Sequence, residues 1–424
     1  MVPIFNEYIK YLNDNGIDLG LEEGTYWLDN VTIKAFDKQG IERKLYKIIV
    51  SDDFKLSYKK YNLPQKVINN GFETWEDTVN RNEKHLRKIE ENSINLIKDR
   101  CSKYPDSKKV ILNSTGKDSM VVRHLANKSG VEFTNYLTNS TIEYGESVKL
   151  AKKLGFIFMH PQKERSFFEW QKRTSFIPTK LHRTCCTYFQ ERPTLEFFDK
   201  NENILFLLGM RREESKTRSQ YEYDWRNPVW GKKRPWFGLL PVLMWTEFDI
   251  WLYILMEKME FNPLYRMGYS RVGCLNVLCP FSKKSVWALD KYWYPKQFER
   301  WRNIVREDFI KNNKWIATNL TLDEYMVRWN HSEIPDEPSK ECIEEFARYN
   351  NLDFEVAKEF FTQYCSLCGK PIRHKYEIGM SIKYLGDDTK DFYCKDCFKT
   401  KYDFTDEEYD ERVMAFKYRN CDLL

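Results

Sequence analysis

Between residues 109 and 159 short apolar runs alternate with amphipathic stretches, a rhythm that few folds satisfy. It predicts strands at 109–113, 132–137 and 156–159 and helices at 119–128 and 144–154. A further strand is expected in the run from Asn203 to Met210. Such alternation builds an α/β domain, a parallel sheet with helices on both faces. In an open sheet of this kind ligands gather at the carboxyl ends of the strands. The first strand ends there in a tight polar loop, Asn113 to Ser119. Gly116 allows close backbone approach to an anion, and amides at the following helix start face it. Lys117 adds a mobile charge, and Ser114 and Ser119 add hydroxyls. The phosphate loop of nucleoside triphosphatases needs a glycine where Ile111 stands and a Ser or Thr after the lysine, where Asp118 stands, so that pattern fails. The plain alternative is a strand-to-helix turn capped by Asp118 or Ser119.

The flanking segments divide the chain. Residues 1–80 carry short alternating runs expected to form a small β-rich domain, with no chemical motif. The α/β domain is expected over 81–300, a charged helical extension over 301–360 and a cysteine-paired module over 361–424. The net charge of +5 arises from 68 basic and 63 acidic residues, so a nucleic-acid surface has to be a local patch. Lys232, Lys233 and Arg234 are one such patch. The most apolar segment, Trp236 to Met256, is interrupted by Glu247 and Asp249 and reads as buried strand and helix, not a membrane span. The amino terminus has no basic region followed by an apolar core, so a cytoplasmic protein is expected.

The chain has 11 cysteines, and most are paired: Cys185 with Cys186, Cys274 near Cys279, Cys365 near Cys368, Cys394 near Cys397. In a reducing compartment such clusters favour metal over disulfide. Cys365-x2-Cys368 and Cys394-x2-Cys397 are two hooks whose thiolates can converge tetrahedrally on structural Zn²⁺. Lys370, Arg373, His374 and Lys375 beside them favour nucleic acid slightly; the alternative is a solvated face, with His374 on the surface and not a ligand. Lys180, His182 and Arg183 lie close to Cys185 and Cys186, where cations are expected to lower the thiol pKa.

The loop resembles the Ser-Gly-Gly-Lys-Asp-Ser pyrophosphate loop of the ATP pyrophosphatase superfamily, with Thr115 at the usual second glycine. Gly209, Arg211, Glu214, Ser215 and Arg218 match the G-x-R-x-x-E-S-x-x-R pattern of its phosphoadenosine phosphosulfate reductase-like family. Guanidinium groups there suit bidentate binding of phosphate or sulfate. The stretch Leu239 to Phe281 follows the same family's order: Trp245, Asp249-x-Trp251, Asn262-Pro263-Leu264-Tyr265, Arg271-x-Gly273-Cys274 and Cys279-Pro280. Asn139 stands where an acidic residue is common. The resemblance covers about residues 85 to 290 and implies an adenine nucleotide α-hydrolase-like fold.

It also implies an activity. Enzymes of the superfamily split ATP between the α and β phosphates. The intact Lys117, Asp118 and Ser119 favour ATP with Mg²⁺ over a sulfated nucleotide. The character is closest to the iron-sulfur, sulfur-transferring enzymes of DNA phosphorothioation. On that likeness Ser114 to Ser119, Gly209, Glu214 and Ser215 would hold ATP, and Lys117, Asp118, Arg211 and Arg218 would serve catalysis. Cys185, Cys186, Cys274 and Cys279 would hold a [4Fe-4S] cluster, although four residues intervene in the second pair where two are common. Zinc, or buried thiols with no metal, are the alternatives. The implied partners are a cysteine desulfurase or other sulfur donor, nucleic acid and other modification proteins, and no membrane. Two other activities fit the residues: a reductase of adenylyl sulfate or its 3′-phosphorylated form, and a nucleotide-binding regulator without catalysis. Cys421 lacks the surrounding motif of the reductases' nucleophile but is a possible sulfur carrier.

Overall fold

A computed structural model describes residues 1–161, 166–180, 183–227, 234–328, 335, 337–372, 374–386 and 389–418. His182, Lys232, Lys233, Arg373 and Cys421 lie outside the described residues. The chain forms two compact units. The first joins Met1–Thr174, Thr184–Leu278 and Ser282–Pro295; the second joins Ser175–Arg183, Cys279–Phe281 and Lys296–Leu424.

The first unit holds two sheets. Five antiparallel strands lie in chain order: β1 (Val2–Pro3), β2 (Trp27–Asp29), β3 (Thr32–Phe36), β4 (Glu42–Val50) and β5 (Leu56–Lys60). Strand β5 is the exposed edge, and Lys59 and Lys60 keep that edge charged against pairing with other chains. A helix, Asn6–Asp14, interrupts this β-rich region, which the strand-like patterning of residues 1–80 did not foretell.

The second sheet has the order β10-β11-β9-β6-β7-β8, with β6 (Lys108–Leu112), β7 (Thr134–Thr138), β8 (Ile157–Met159), β9 (Ile204–Leu207), β10 (Asp224–Trp225) and β11 (Trp236–Leu239). All pairs are parallel except β10 with β11. Val110, Ile111 and all of β9 are buried, as strands covered on both faces must be. The chain leaves β6 toward β7 and β8, then returns to place β9 on the other side of β6. That reversal is a topological switch point, and the loops after β6 and β9 open beside each other there.

Two helices tie the sheets together. Trp75–Lys103 starts with a capping box, in which Thr74 and Asp77 satisfy each other's amides, and buries Val79, Leu86, Ile97 and Cys101 along one stripe. Glu247–Met256, capped likewise by Thr246 and Asp249, has five consecutive buried residues, Ile250 to Ile254. It is wrapped by core on all sides and is no membrane span; among the described residues no helix is long and apolar enough to cross one. Trp27 and Phe36 of the antiparallel sheet pack on Phe248 at ring separations of 5.1 and 5.3 Å. Gly268, at φ +96°, lies so close to Tyr8 that a Cβ would fall 2.2 Å from its ring.

The second unit is mainly helical, as the pattern after residue 301 predicts: Pro295–Lys311, Lys314–Thr318, Leu322–Arg328, Lys340–Asn350 and Phe354–Phe360 come first. Three more helices, Lys375–Leu385, Lys395–Tyr402 and Asp406–Tyr418, follow around a small core of Cys365, Met380, Tyr393, Phe398, Tyr409 and Val413.

Candidate active site and cysteine centres

The loop after β6 is shaped from below. The Asn113 side-chain oxygen accepts the Thr115 amide at 2.9 Å, and Thr115 takes φ +60° with its side chain fully buried. Its Oγ1 accepts from Asn262 Nδ2 at 2.9 Å, and the same amide group donates to Ser147 at 2.9 Å. Tyr265 Oη accepts the Lys117 amide at 2.8 Å. The Asn-Pro-Leu-Tyr segment is therefore the buttress of the loop.

Helix Lys117–Ser129 begins two residues earlier than predicted, with Gly116 at its N-cap and no side-chain cap. The turn is thus not capped by Asp118 or Ser119. Both lie within the first helical turn, where Tyr265 holds the Lys117 amide and no N-cap side chain holds the amides that follow. The loop after β9 crosses directly over this turn. A Cβ on Gly209 would sit 2.7 Å from Ser119 N and 2.8 Å from the Asp118 carbonyl carbon, so only glycine permits the crossing.

These loops enclose a cavity of about 570 Å³. Of the sequence-predicted residues, Ser114, Gly116, Lys117, Asp118 and Ser119 line it, together with Gly209, Arg211, Glu214 and Arg218. Thr115 and Ser215 do not: Thr115 faces Asn262, and Ser215 Oγ accepts the Arg218 amide at 3.2 Å within a turn. Glu213, Glu247, Tyr265, Arg271 and Asn30 also line the cavity, and sequence reasoning had given them no role.

Every buried cation of the cavity has an acidic partner. Lys117 Nζ, 3% exposed as a residue, lies 3.1 Å from Glu247 and 3.3 Å from Asp118. Burial alone would lower its pKa, but Tyr265, Asp118 and Glu247 more than offset this and hold the ammonium charged above the usual lysine range. Arg211 Nε donates to Asp118 at 2.6 Å, and its Nη1 pairs with Glu213. Arg218 pairs with Glu214, whose carboxylate also accepts the Arg211 amide at 2.9 Å. The arginines of the motif are thus oriented by carboxylates before any ligand arrives. Burial raises Glu247 and Lys117 pulls it down, leaving it below the ordinary glutamate range.

In the first unit, Cys185 and Cys186 lie in a short helix, Thr184–Cys186, that runs into a π-helical turn. The Cys185 thiol is raised, by its hydrogen bond with Cys186, by burial and by the charges of Cys186 and Cys274. This corrects the expectation that cations would lower it: neighbouring thiols dominate. Cys274 pairs through its backbone with Glu143, and Gln190 Nε2 donates to its Sγ at 3.1 Å. Behind it, buried Asp290 accepts from Tyr144 (2.6 Å), Tyr269 (2.7 Å) and the Val277 amide (2.7 Å), and so fixes the loop that follows Cys274. Cys279 belongs to the second unit and is partly buried.

Also in the second unit, Cys365, Cys368, Cys394 and Cys397 bring their sulfurs within 4.8 Å of one another. The first hook is a tight reversal in which the Gly369 amide donates to the Cys365 carbonyl and Tyr364 bridges Pro371. Cys394 caps helix Lys395–Tyr402. Burial pushes the Cys365 thiol up, but the amides of Cys368, Cys394 and Leu367 outweigh it and bring the pKa down to about 6. His374 is exposed and outside this group.

Residues 108–280 match the phosphoadenosine phosphosulfate reductase domain. An uncharacterized protein of Methanocaldococcus jannaschii is 27% identical over 330 residues, covering 75% of this chain; the chain spans 63% of that relative's length. An adenosine 5′-phosphosulfate reductase of Neisseria meningitidis is 27% identical over 175 residues, 38% of this chain and 68% of the relative. Sulfate adenylyltransferase subunit 2 of Buchnera aphidicola is 30% identical over 229 residues, 47% of this chain and 74% of the relative. With the pyrophosphate-type loop at the sheet's switch point and the Gly209-to-Arg218 motif facing it, the chain belongs to the phosphoadenosine phosphosulfate reductase-like family.

Proposed function

We propose that the chain adenylates an acceptor with ATP, releasing pyrophosphate, in support of sulfur transfer. The observation that carries this is the buried Lys117 at an uncapped helix start, in one cavity with Arg211 and Arg218. In the reaction a nucleophilic oxygen of the acceptor attacks the α phosphorus. The bond from that phosphorus to the bridging oxygen breaks, and its electron pair leaves with pyrophosphate. Lys117 neutralises the charge gathering on that leaving group, the first-turn amides hold its oxygens, and the two arginines orient the α phosphate. Because each buried cation is already paired with a carboxylate, a bare polyphosphate meets as much repulsion as attraction. Asp118, Glu213 and Glu247 are hard oxygen donors of the kind that suit Mg²⁺, which supplies the missing positive charge when bound with the nucleotide. The test is release of pyrophosphate from ATP and Mg²⁺; release unchanged in Lys117→Ala sinks the assignment.

Cys185, Cys186 and Cys274 are soft donors that influence one another in the first unit, which supports an iron-sulfur cluster there. Such a cluster would supply redox or sulfur-handling chemistry beside the nucleotide. An anaerobic preparation without broad iron-sulfide absorption would remove it. Four converging sulfurs support Zn²⁺ at Cys365, Cys368, Cys394 and Cys397, with Lys370 and His374 nearby for a nucleic-acid acceptor, as in DNA phosphorothioation. A sulfur donor such as a cysteine desulfurase completes the scheme.

The 27% identity to an adenosine 5′-phosphosulfate reductase favours a second reading, reduction of a sulfated adenine nucleotide. Sulfite released from adenosine phosphosulfate and a thiol, without ATP, would establish it over the first.

A further inference from the structure

The hairpin β2–β3 turns through Asn30 and Val31, and Asn30 lines the nucleotide cavity although it lies far outside the matched residues 108–280. Asn30 has φ +55°, a conformation that asparagine tolerates better than most residues. Its side-chain oxygen accepts from Lys283 Nζ at 2.9 Å, so a cation fixes one end of the amide. Its Nδ2 makes only a long 3.4 Å approach to Asp29 among the described residues and keeps donor capacity for a ligand.

The hairpin that carries Asn30 is anchored beside the helix that carries Glu247. Trp27 and Phe36 of the same hairpin rest on Phe248, the residue after Glu247, whose carboxylate is 3.1 Å from Lys117 Nζ. Asn30 thus shares the cavity with Lys117, Arg211 and Arg218, the cations that a polyphosphate would meet.

We propose that Asn30 is a specificity-determining residue: its amide donates to the terminal phosphate oxygens of a nucleoside triphosphate. The antiparallel sheet thereby gives the α/β domain a reader for the pyrophosphate part of the nucleotide. This rests on the ATP reading above, and goes beyond it by giving the amino-terminal sheet a role in substrate choice.

The experiment is equilibrium binding of ATP, AMP and inorganic pyrophosphate, each with Mg²⁺, to the full chain and to Asn30→Gly. Glycine keeps the left-handed turn and removes the amide, and with it the acceptor of Lys283. Affinity for ATP and for pyrophosphate is expected to fall about tenfold, the size of one hydrogen bond to a charged group, while AMP stays within about twofold. Asn30→Asp, which sets a carboxylate against the phosphates, should lose more than Asn30→Gly. Equal losses for ATP and AMP, or no loss for either, would overturn the proposal and leave the ATP reading intact. A wild-type chain that binds AMP but neither ATP nor pyrophosphate would overturn both. The two failures differ because the second is already visible without any substitution.

Discussion

Thr115 occupies a left-handed backbone position that costs a branched residue about 1–2 kcal/mol, and the bond from Asn262 holds it there. Thr115→Gly should relieve that strain, which offsets part of the cost of about 1–3 kcal/mol for leaving a buried donor of Asn262 without its acceptor, so the melting temperature falls only modestly. Thr115→Val keeps the strain and leaves a buried donor of Asn262 without its acceptor, a loss of about 1–3 kcal/mol that thermal unfolding would register. Asp290 offers a second test. Burial, working against its bonds from Tyr144, Tyr269 and Val277, raises its pKa to about 6. The folded state therefore binds this proton more tightly than the unfolded chain does. The stability it contributes is full below about pH 4 and is lost as pH rises through 6, of order 3 kcal/mol in all. Urea titrations between pH 4 and 7 should show that slope, and Asp290→Asn should flatten it. Lys117, Asp118 and the arginines were legible in the sequence because their spacing within one loop or motif is local. Glu247 was not, because it reaches Lys117 from 130 positions away and only the folded chain pairs them.

At the scale of elements, the loop after β9 and the start of helix Lys117–Ser129 touch at Gly209. Gly209→Ala should force them apart, costing about 1–3 kcal/mol by overpacking and weakening ATP binding at least about tenfold. Isothermal titration beside a melting curve separates the two effects; unchanged binding would mean the crossing does not shape the cavity. The strands and helices from 108 to 159 stand close to their predicted bounds because apolar periodicity marks them. The missed helix Asn6–Asp14 is held by Tyr8, Tyr11 and Leu12 packing against distant segments, a signal too short to separate from a strand. Antiparallel β10 is two residues long and has no periodicity to read.

At the scale of the molecule, the second unit's terminal core packs the aromatic rings of Tyr393, Phe398 and Tyr409 beside four converging sulfurs. A strong chelator, or Cys368→Ser, should remove bound metal and open residues 361–418 to proteolysis. Metal analysis and the pattern of cuts would check it, and an unchanged digest would show that the core stands without metal. The two hooks were legible from spacing alone, since paired cysteines two residues apart are rare without a metal. The amino-terminal sheet was legible as a sheet and silent as to purpose, because a single asparagine at a turn carries no motif.

The carboxylate held against each buried cation has one more consequence. Inorganic phosphate, sulfate and chloride crowd any solution in which a nucleotide enzyme works, and an open cluster of arginines would bind them. Here such an ion would have to break an existing pair and would bring no counter-charge of its own. The site is thus insulated from its commonest competitors, and raising salt should weaken nucleotide binding far less than four exposed cations would imply.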